Sequence, residues 1–259
     1  MKIVGIIPAR MASSRFPGKP MAKILGMPMI GHCLKRSEMS DILDDVYVAT
    51  CDLEIFEYIE SIGGKAVMTA DTHERASDRA AEALLKIEKA NEIKYDIVVM
   101  LQGDEPMIVP EMIQAAVEPL LQSSAVKISN LYATINSVEV FEDPNEVKVV
   151  VDKNDNAIYF SREPIPSRKK GVLDGPKYKQ VCIIPFERDF LLEYNRMEQT
   201  PLEIIESVDM LRIIENGMKV KMVFTEHETY AVDTLGDLLH VEELMKNDDL
   251  VKEYSNYSG

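Results

Sequence analysis

Strand-like apolar runs alternate with helical segments along the first 121 residues, and this alternation restricts the fold more than any other feature. The predicted strands are Val4–Pro8, Val46–Thr50, Ala66–Met68 and Asp96–Leu101. Apolar residues at helical spacing predict helices near Met29–Met39 and over Leu53–Ile62, Ser77–Asn91 and Glu111–Leu121. Strands that alternate with helices indicate an α/β fold with a mainly parallel sheet, covered by helices on both faces.

The pattern changes after about residue 125, where short β-rich pieces follow one another without long helices between them. These pieces are Lys127–Ala133, Val147–Val151, Ile158–Phe160 and Val181–Ile184. Helices return over Phe190–Asn195, Pro201–Glu215 and Thr234–Lys246, with a strand at Val220–Phe224 and a frayed tail over Glu253–Gly259. We therefore predict a single domain over residues 1–259, with a β-rich insertion at about 127–200.

Composition and charge exclude several classes of protein. Hydrophobic residues at 46% and charged residues at 28% fit a soluble globular chain, and no apolar run approaches the ~20 residues that span a bilayer. The net charge of −15 argues against nucleic-acid binding, and three scattered cysteines suit a reducing cytoplasm. The first 37 residues nevertheless hold seven Lys and Arg residues and no acid. This clustering predicts a site for a small polyanion, unless the cations lie on an ordinary solvated face.

The first motif, Pro8–Pro20, directly follows the first predicted strand. It therefore lies at the carboxyl edge of the sheet, where open α/β folds bind ligands. Its small residues let backbone amides approach phosphate oxygens, and Arg10, Arg15 and Lys19 supply positive charge. The spacing matches neither a Walker loop nor a GxGxxG fingerprint. We expect a phosphate-binding loop; the alternative is a long surface turn.

Two further motifs each supply a carboxylate. Asp104 follows the apolar strand Asp96–Leu101, within the run Gln-Gly-Asp-Glu-Pro, and Asp233 lies between the strand Val220–Phe224 and a helix. One or two carboxylates, with phosphate and water oxygens, are the ligands that Mg²⁺ usually takes. The pair therefore predicts a Mg²⁺ site. Each residue has an alternative role: Asp104 in a turn, and Asp233 as a helix N-cap.

The sequence contains no pattern that predicts a protein nucleophile or a zinc site. The four histidines are dispersed, with no Ser-His-Asp or Cys-His pattern, and Asp71, His73 and Glu74 have no familiar metal spacing.

Taken together, these motifs resemble the CMP-sugar synthetases, most closely the 3-deoxy-manno-octulosonate (Kdo) cytidylyltransferases. The resemblance extends over nearly the full length and includes IIPARMASSRFPGKP, VYVATCD, QGDEP, PNEVKVV, YFSREPIP, TPLEIIE and AVDT. It implies a Rossmann-like nucleotidyltransferase fold, a three-layer sandwich whose β-rich insertion forms a homodimer. It also implies transfer of CMP from CTP to an acidic sugar, with release of pyrophosphate, in the biosynthesis of a surface polysaccharide.

The resemblance also implies a role for each matching residue. Those expected to act on the reacting phosphates are Arg10, Lys19, Asp104 and Asp233, the two acids through Mg²⁺. Those expected to bind the nucleotide are Ala9, Arg10, Ser13, Arg15, Lys19, Ser77 and Arg79, with Asp78 in the same segment. Those expected to bind the sugar acid are Gln102, Arg162, Gln180 and Glu203, with Arg162 facing the carboxylate.

Departures from the family pattern leave the acceptor open. Arg75 and Ala76 replace the first two residues of the family's Ser-Gly-Thr-Asp-Arg run, which affects the expected nucleobase contacts. The run Gln180–Pro185 replaces a histidine followed by Gly-Ile-Tyr-Gly, and Met210 replaces a glutamine. We therefore expect either Kdo or a Kdo-like acid with different distal or ring substituents. A nonulosonate or phosphonate acceptor, another base, and a catalytically silent nucleotide-binding regulator are the alternatives.

Overall fold

A computed structural model describes residues 1–12, 16–167 and 175–255. The chain divides into two compact units: unit 1 comprises Met1–Gln114 and Thr229–Gly259, and unit 2 comprises Ala115–Glu228. The predicted insertion, residues 127–200, lies within unit 2, which begins earlier and ends later. The prediction of one domain over the whole chain stays a prediction.

Strands and helices alternate in the first part of the chain, as the sequence predicts. In chain order the elements are β1 (Ile3–Ala9), β2 (Lys23–Ile24), β3 (Met27–Pro28), α1 (Met29–Glu38), β4 (Asp45–Thr50), α2 (Leu53–Ser61), β5 (Lys65–Met68), α3 (Ala76–Asn91), β6 (Ile97–Met100) and α4 (Pro110–Gln122). A short 3-10 turn, Lys19–Met21, precedes β2. The hairpin β2–β3 and this turn are additions to the predicted elements.

The sheet of unit 1 holds its strands in the order β6-β1-β4-β5, and all of these pairings are parallel. All four residues of β6 are buried, and so are six of the seven residues of β1. Continuous apolar strands of this kind are typical of a parallel sheet buried on both faces. The predicted α/β class with a mainly parallel sheet is confirmed. Ala9 pairs with Thr50, so the ends of β1 and β4 lie side by side.

Unit 2 is β-rich. In chain order its elements are β7 (Ser129–Thr134), α5 (Val138–Glu142), β8 (Lys148–Val151), β9 (Ala157–Ser161), β10 (Tyr178–Val181), β11 (Ile184–Glu187), α6 (Arg188–Tyr194), α7 (Pro201–Glu206), α8 (Met210–Glu215) and β12 (Lys221–Phe224). One sheet has the order β12-β7-β10-β8-β9. The β12–β7 pair is parallel and the other three pairs are antiparallel.

Two predicted elements of unit 2 are each divided in the structure. The predicted helix Pro201–Glu215 consists of α7 and α8, because Ser207 adopts a left-handed conformation (φ 52°) that ends α7. The predicted strand Val181–Ile184 contains the end of β10 and the start of β11. A backbone bond from Ile183 N to Val181 O (2.8 Å) turns the chain between them.

Two C-terminal helices, α9 (Leu235–Met245) and α10 (Asp249–Ser255), complete unit 1. Tyr254 is only 5% exposed, and its hydroxyl bonds His32 Nδ1 (2.8 Å) and Arg36 Nε (3.2 Å). The predicted frayed tail is therefore wrong as far as residue 255; residues 256–259 lie outside the described chain. Within the described ranges, no helix is long and apolar enough to cross a bilayer.

The cationic cluster of the first 37 residues does not form one exposed patch. Arg36 is completely buried and pairs with Asp248, while Lys35 pairs with Glu38 on its own helix. Among the described residues of this segment, Lys19 and Arg10 lie beside the carboxyl edge of the sheet. The predicted site for a small polyanion stays a prediction, and the paired Lys35 and Arg36 are not part of it.

Candidate active site

Three charged side chains of unit 1 meet beside the carboxyl ends of β1 and β6. Lys19 Nζ donates a hydrogen bond to Asp104 Oδ2 at 2.7 Å and to Asp233 Oδ1 at 3.1 Å. The side chain of Lys19 is 12% exposed, and those of Asp104 and Asp233 are 30% and 29% exposed. One ammonium thus bridges two acids that are 129 residues apart in sequence. Both acids keep part of their surface open to solvent.

The local sequence explains how these side chains reach one another. Gly18 has a left-handed backbone (φ 73°), which glycine adopts without strain, and it starts the 3-10 turn at Lys19. The amide of Val232 donates to the carbonyl of Asp104 (2.9 Å), so the two acidic segments are joined by backbone as well.

The N-cap alternative for Asp233 is not what the structure shows. Thr234 caps α9, since its hydroxyl accepts the amide of Asp237 (3.2 Å). The Asp237 carboxylate in turn accepts the amides of Thr234 (2.7 Å) and Asp233 (3.0 Å). Asp233 is therefore not the cap of α9, and its carboxylate accepts a hydrogen bond from Lys19.

The electrostatics of this cluster keep Lys19 charged. Burial alone would lower the pKa of Lys19, but the attraction and hydrogen bonds of Asp104 and Asp233 outweigh it and raise the pKa. The ammonium therefore stays protonated at neutral pH. With two acids and one cation, the cluster carries a net negative charge, which favours a further cation.

The same two acids could hold a divalent metal. Hard oxygen donors and room for phosphate and water oxygens are what Mg²⁺ requires, and it usually takes only one or two protein carboxylates. Both oxygens that bond Lys19 belong to partly exposed groups, so a cation has access to them. Across the described residues, no group of three or more His, Cys, Asp or Glu side chains forms a denser metal cluster.

The predicted nucleotide-binding residues lie on β1, in the loop that follows it and on α3. Ala9 is buried at the end of β1, and Arg10 next to it is exposed. Ser77 and Arg79 on α3 are 1% and 3% exposed. Ser13 and Arg15 were predicted to bind phosphate, and both lie outside the described residues.

Arg79 has one donor that the protein leaves unsatisfied. Its Nη1 bonds the hydroxyl of Thr69 and the carbonyl of Ala70 (3.2 Å), both after β5. Its Nη2 is buried and has no hydrogen-bond partner. A buried donor without a partner is rare in folded proteins and is a common sign of a missing ligand or water. Arg79 Nη2 is thus suited to donate a hydrogen bond to an oxygen from outside the chain.

The predicted sugar-binding residues of unit 2 are largely committed to internal bonds. Arg162 donates to three backbone carbonyls: Nε to Glu206 (2.7 Å), Nη1 to Pro144 (2.8 Å) and Nη2 to Ser207 (3.2 Å). The Glu206 carboxylate accepts the amide of Arg162 (2.8 Å) and the hydroxyl of Ser161 (2.8 Å). Three of the five guanidinium donors therefore hold neighbouring loops together.

Glu203 is completely buried, and both of its carboxylate oxygens bond Arg212, at 2.6 and 2.7 Å. This bidentate pair raises the pKa of Arg212, chiefly through the hydrogen bond to Glu203. A carboxylate with no exposed surface has no oxygen for a sugar hydroxyl. The structure therefore gives Glu203 an internal ion pair in place of the predicted sugar contact.

Gln180 on β10 keeps part of its surface open and has one internal bond. Its amide donates to Oδ1 of the buried Asn130 at 2.5 Å, which fixes the orientation of the side chain. Gln102, in unit 1, is half-buried beside the end of β6. Both side chains therefore remain available for the predicted acceptor contacts.

Most of the positions that depart from the family pattern are interior. Met210 is completely buried, and Ile183 and Ile184 are 2% and 3% exposed. These apolar side chains fill the core of unit 2 and present no surface to a ligand. Among these departures, Gln180 is the one whose amide could meet an acceptor.

A family model described as cytidylyltransferase matches residues 4–221. The chain belongs to the cytidylyltransferase family. It is 41% identical over 253 residues to a 3-deoxy-manno-octulosonate cytidylyltransferase of Geobacter metallireducens, covering 94% of this chain and 97% of that protein. It is 42% identical over 251 residues to the enzyme of the same name from Fusobacterium nucleatum, covering 96% and 99%.

Solved structures place this cytidylyltransferase in the same group. A CMP:2-keto-3-deoxy-manno-octonic acid synthetase complexed with CTP superposes with a TM-score of 0.86 at 35% identity, covering 95% of this chain and 99% of that one. A putative glucose-1-phosphate thymidylyltransferase from Bacillus anthracis shares the fold alone, with a TM-score of 0.66 at 15% identity. The predicted resemblance to the CMP-Kdo cytidylyltransferases is confirmed.

One carboxylate at the edge of the cytidylyltransferase sheet was not singled out from the sequence. Asp52 follows β4, and its Oδ2 accepts the backbone amide of Met11 at 2.8 Å, in the loop after β1. The sequence does hold a signal for it, because an acid directly after a parallel strand lies at the ligand-binding edge. In the sequence, Asp52 is the last residue of the motif VYVATCD.

Proposed function

We propose that the protein transfers a cytidylyl group from CTP to 3-deoxy-manno-octulosonate and releases pyrophosphate. The bridge that Lys19 Nζ makes between Asp104 and Asp233 is the observation that carries the proposal. Such a cluster supplies both a cation for phosphate oxygens and two acids for a metal. Two relatives at 41% and 42% identity are 3-deoxy-manno-octulosonate cytidylyltransferases, and this activity supports the cytidylyl group and the acceptor.

The reaction is an in-line displacement at the α-phosphorus of CTP. The acceptor hydroxyl oxygen forms a bond to that phosphorus and loses its proton, while the bond to the bridging oxygen breaks and pyrophosphate leaves. Transfer of this kind depends on positioning and charge neutralisation more than on a protein nucleophile. Lys19 stays protonated and would bind phosphate oxygens as negative charge shifts towards the leaving group.

Asp104 and Asp233 would hold Mg²⁺. The ion, when bound, would neutralise phosphate charge and help to align the triphosphate. The partial exposure of both acids and the small number of protein ligands support this assignment. Lys19 would then exchange part of its bonding with the acids for bonding with phosphate oxygens.

Arg79 and Ser77 would bind the nucleotide, and the unpartnered Nη2 of Arg79 is the feature that supports this. Ala9 and Arg10 would line the phosphate loop, with Ser13 and Arg15. For the acceptor we propose Gln102, Gln180 and Arg162, whose guanidinium keeps two donors beyond its three carbonyl bonds.

Kdo itself is the acceptor that we favour over a Kdo-like variant. The case for a variant rested on changed side chains, and Met210, Ile183 and Ile184 are interior. Gln180 stands where the family has a histidine and is partly exposed. It is therefore the one reason to test acceptors whose distal substituents differ from those of Kdo. Intact Lys19, Asp104 and Asp233 argue against a catalytically silent regulator.

We further propose that the protein acts in the cytoplasm as a homodimer, in the biosynthesis of a surface polysaccharide such as lipopolysaccharide. These proposals rest on the family resemblance. Light scattering during size-exclusion chromatography tests the dimer directly, with a mass of about twice 29.2 kDa as the expected result.

The test of the proposed function is a pyrophosphate-release assay. CTP, UTP, ATP and GTP are each paired with Kdo, an 8-substituted Kdo, a nonulosonate and a phosphonate, with and without Mg²⁺. We expect release with CTP, Kdo and Mg²⁺ together. A higher specificity constant for the 8-substituted acid would identify a Kdo-like variant as acceptor, and no release with any pair would overturn the proposal.

A further inference from the structure

Asp52 occupies an N-cap position without capping its own helix. It directly precedes α2 and has extended backbone angles (φ −104°, ψ 120°), yet its side chain accepts no amide from the first turn. An aspartate in this place ordinarily bonds one of those amides. Here Oδ2 accepts the amide of Met11, which is 41 residues earlier in the chain (2.8 Å), and a weaker contact from Cys51 Sγ (3.6 Å).

Met11 is held from both sides. Asp52 takes its amide, and its carbonyl accepts the amide of Gly18 at 3.1 Å. Gly18 begins the 3-10 turn that contains Lys19, and its own carbonyl accepts the amide of Met21 (2.9 Å). A chain of hydrogen bonds therefore runs from the end of β4 to the backbone that carries Lys19.

This chain ends at the charged cluster. Lys19 Nζ reaches Asp104 after β6 and Asp233 before α9. Gly18 directly precedes Lys19, and the bond from its amide to the Met11 carbonyl links the position of Lys19 to that of Met11. We therefore expect a displacement of Met11 to move the ammonium of Lys19 relative to Asp104 and Asp233.

We propose that Asp52 is a positioning residue for Lys19: through Met11 and Gly18 it holds the ammonium where the CTP phosphates bind. This proposal rests on the proposed function, which makes the loop a phosphate site. Asp52 is a positioning residue and not a ligand, because its bonded oxygen faces a backbone amide and a carboxylate repels phosphate. Any oxygen that accepts the Met11 amide at the same place would hold Met11 equally.

The structure provides a matched control at the other end of the same pair of strands. Asp44 precedes β4, and its Oδ2 accepts the amide of Ile3 in β1 at 2.7 Å, again across 41 residues. The two bonds have the same donor type, the same acceptor type and nearly the same length. They differ in that Asp44 lies at the edge opposite the charged cluster.

The experiment compares Asp52→Ala, Asp52→Asn and Asp44→Ala with the wild type. Steady-state pyrophosphate release gives kcat and the KM values for CTP and Kdo, thermal denaturation gives Tm, and amide hydrogen exchange follows Met11 and Gly18. We expect Asp52→Ala to raise the KM for CTP about tenfold and to leave the KM for Kdo unchanged. Exchange at both amides should accelerate.

Asp52→Asn keeps an acceptor oxygen and should recover most of the loss in CTP affinity. Asp44→Ala should lower Tm about as much as Asp52→Ala while changing the KM for CTP by no more than about twofold. Equal KM values for CTP in the two alanine variants would overturn the proposal, and so would unchanged exchange at Met11 and Gly18 in Asp52→Ala.

Failure of the proposed function gives a different result. A wild-type protein without CTP-dependent release would show that the loop serves another reaction, whereas the exchange rates would still decide whether Asp52 holds the loop. Should Asp52→Ala not fold, Asp52→Ser offers a shorter acceptor and is expected to give an intermediate KM for CTP.

Discussion

The charged residues predicted in unit 1 and those predicted in unit 2 use their charge differently. In unit 1, Asp104 and Asp233 share one ammonium and keep about three-tenths of their surfaces open. In unit 2, Glu203 is fully buried and both of its oxygens bond Arg212. In the first arrangement, the exposed carboxylate surface can still interact with a ligand. In the second, the carboxylate charge is used for an ion pair within the protein.

This difference shows which kind of inference a motif supports. A residue type at a motif position indicates a chemistry only when its polar atoms stay accessible after folding. A bidentate carboxylate–arginine pair with no exposed surface is a structural element, whatever the motif around it. Substitution of Asp104 or Asp233 should therefore affect turnover, and substitution of Glu203 should affect stability.

The largest expected effect is on turnover in unit 1. Asp104→Asn and Asp233→Asn should each lower kcat by about 10³-fold, because each loses the charge that holds Mg²⁺ while keeping its size. Steady-state kinetics and thermal denaturation measure the two effects separately, and Tm should change little. Asp249→Asn, which removes an acid that is 90% exposed, is the control for net charge. Turnover equal to that of the control would refute the role.

The next effect is on stability in unit 2. Glu203→Gln should lower the free energy of unfolding by about 3 kcal/mol, because it leaves the buried guanidinium of Arg212 without its counter-charge. Urea denaturation measures this loss, with the exposed acid variant Glu198→Gln as control. The KM for Kdo should stay the same. A stable Glu203→Gln protein with a much higher KM for Kdo would show that Glu203 binds the sugar. It would contradict the structural role that we assign to Glu203.

Lys19 tests whether the ammonium acts on phosphate or only neutralises the two acids. Lys19→Gln should lower kcat/KM for CTP by about 10²-fold, whereas exposed Lys23→Gln should not. Since the pKa of Lys19 is raised above 10.5, its charge is fully present below that pH and is lost only as pH rises through the higher folded value. Deprotonation of Lys19 should therefore cause no decrease in kcat/KM for CTP below pH 10.5.

The smallest expected effect is on stability in unit 1 and concerns Glu82. Like Glu203 in unit 2, Glu82 uses its carboxylate for bonds within the protein. Burial alone would raise its pKa, but bonds from Lys86, the Ala70 amide and His73 outweigh burial and lower the pKa to about 2. The resulting stability is present above the unfolded value near 4.5 and is lost as pH falls through about 2.

Glu82→Gln should cost about 1 kcal/mol at pH 7, a value reduced for partial exposure. The difference from wild type should shrink steadily when urea denaturation is repeated between pH 4.5 and pH 3. A difference that stays constant over this range would show that the carboxylate charge has no part in holding the Ala70 segment.

Sequence alone was sufficient for the parallel sheet and for the cluster that it carries. The predicted apolar strands end at Pro8 and Leu101, and parallel strands end on one side of a sheet, so Arg10 and Asp104 were expected at the same edge. Sequence alone was not sufficient where contacts between distant residues determine the burial of a side chain or the end of a helix. The burial of Glu203 depends on Arg212 in the next helix, and the break at Ser207 depends on a backbone conformation that serine rarely adopts.

The tail illustrates the same limit. Its composition resembles a frayed terminus, yet Tyr254 is buried between His32 and Arg36, which lie more than 200 residues earlier. Burial lowers the pKa of His32, which bridges Tyr254 and the carbonyl of Ile24. Nothing in the last residues alone signals this contact, because it is specified by α1.

The most direct test of the Lys19–Asp104–Asp233 site is the Mg²⁺ dependence of pyrophosphate release from CTP and Kdo. Wild type, Asp104→Asn, Asp233→Asn and the control Asp249→Asn are titrated with Mg²⁺ at saturating CTP. We predict that wild type and control share one Mg²⁺ requirement and that both site variants need at least about tenfold more. An identical Mg²⁺ requirement in all four proteins would contradict the assignment of these two acids to the metal.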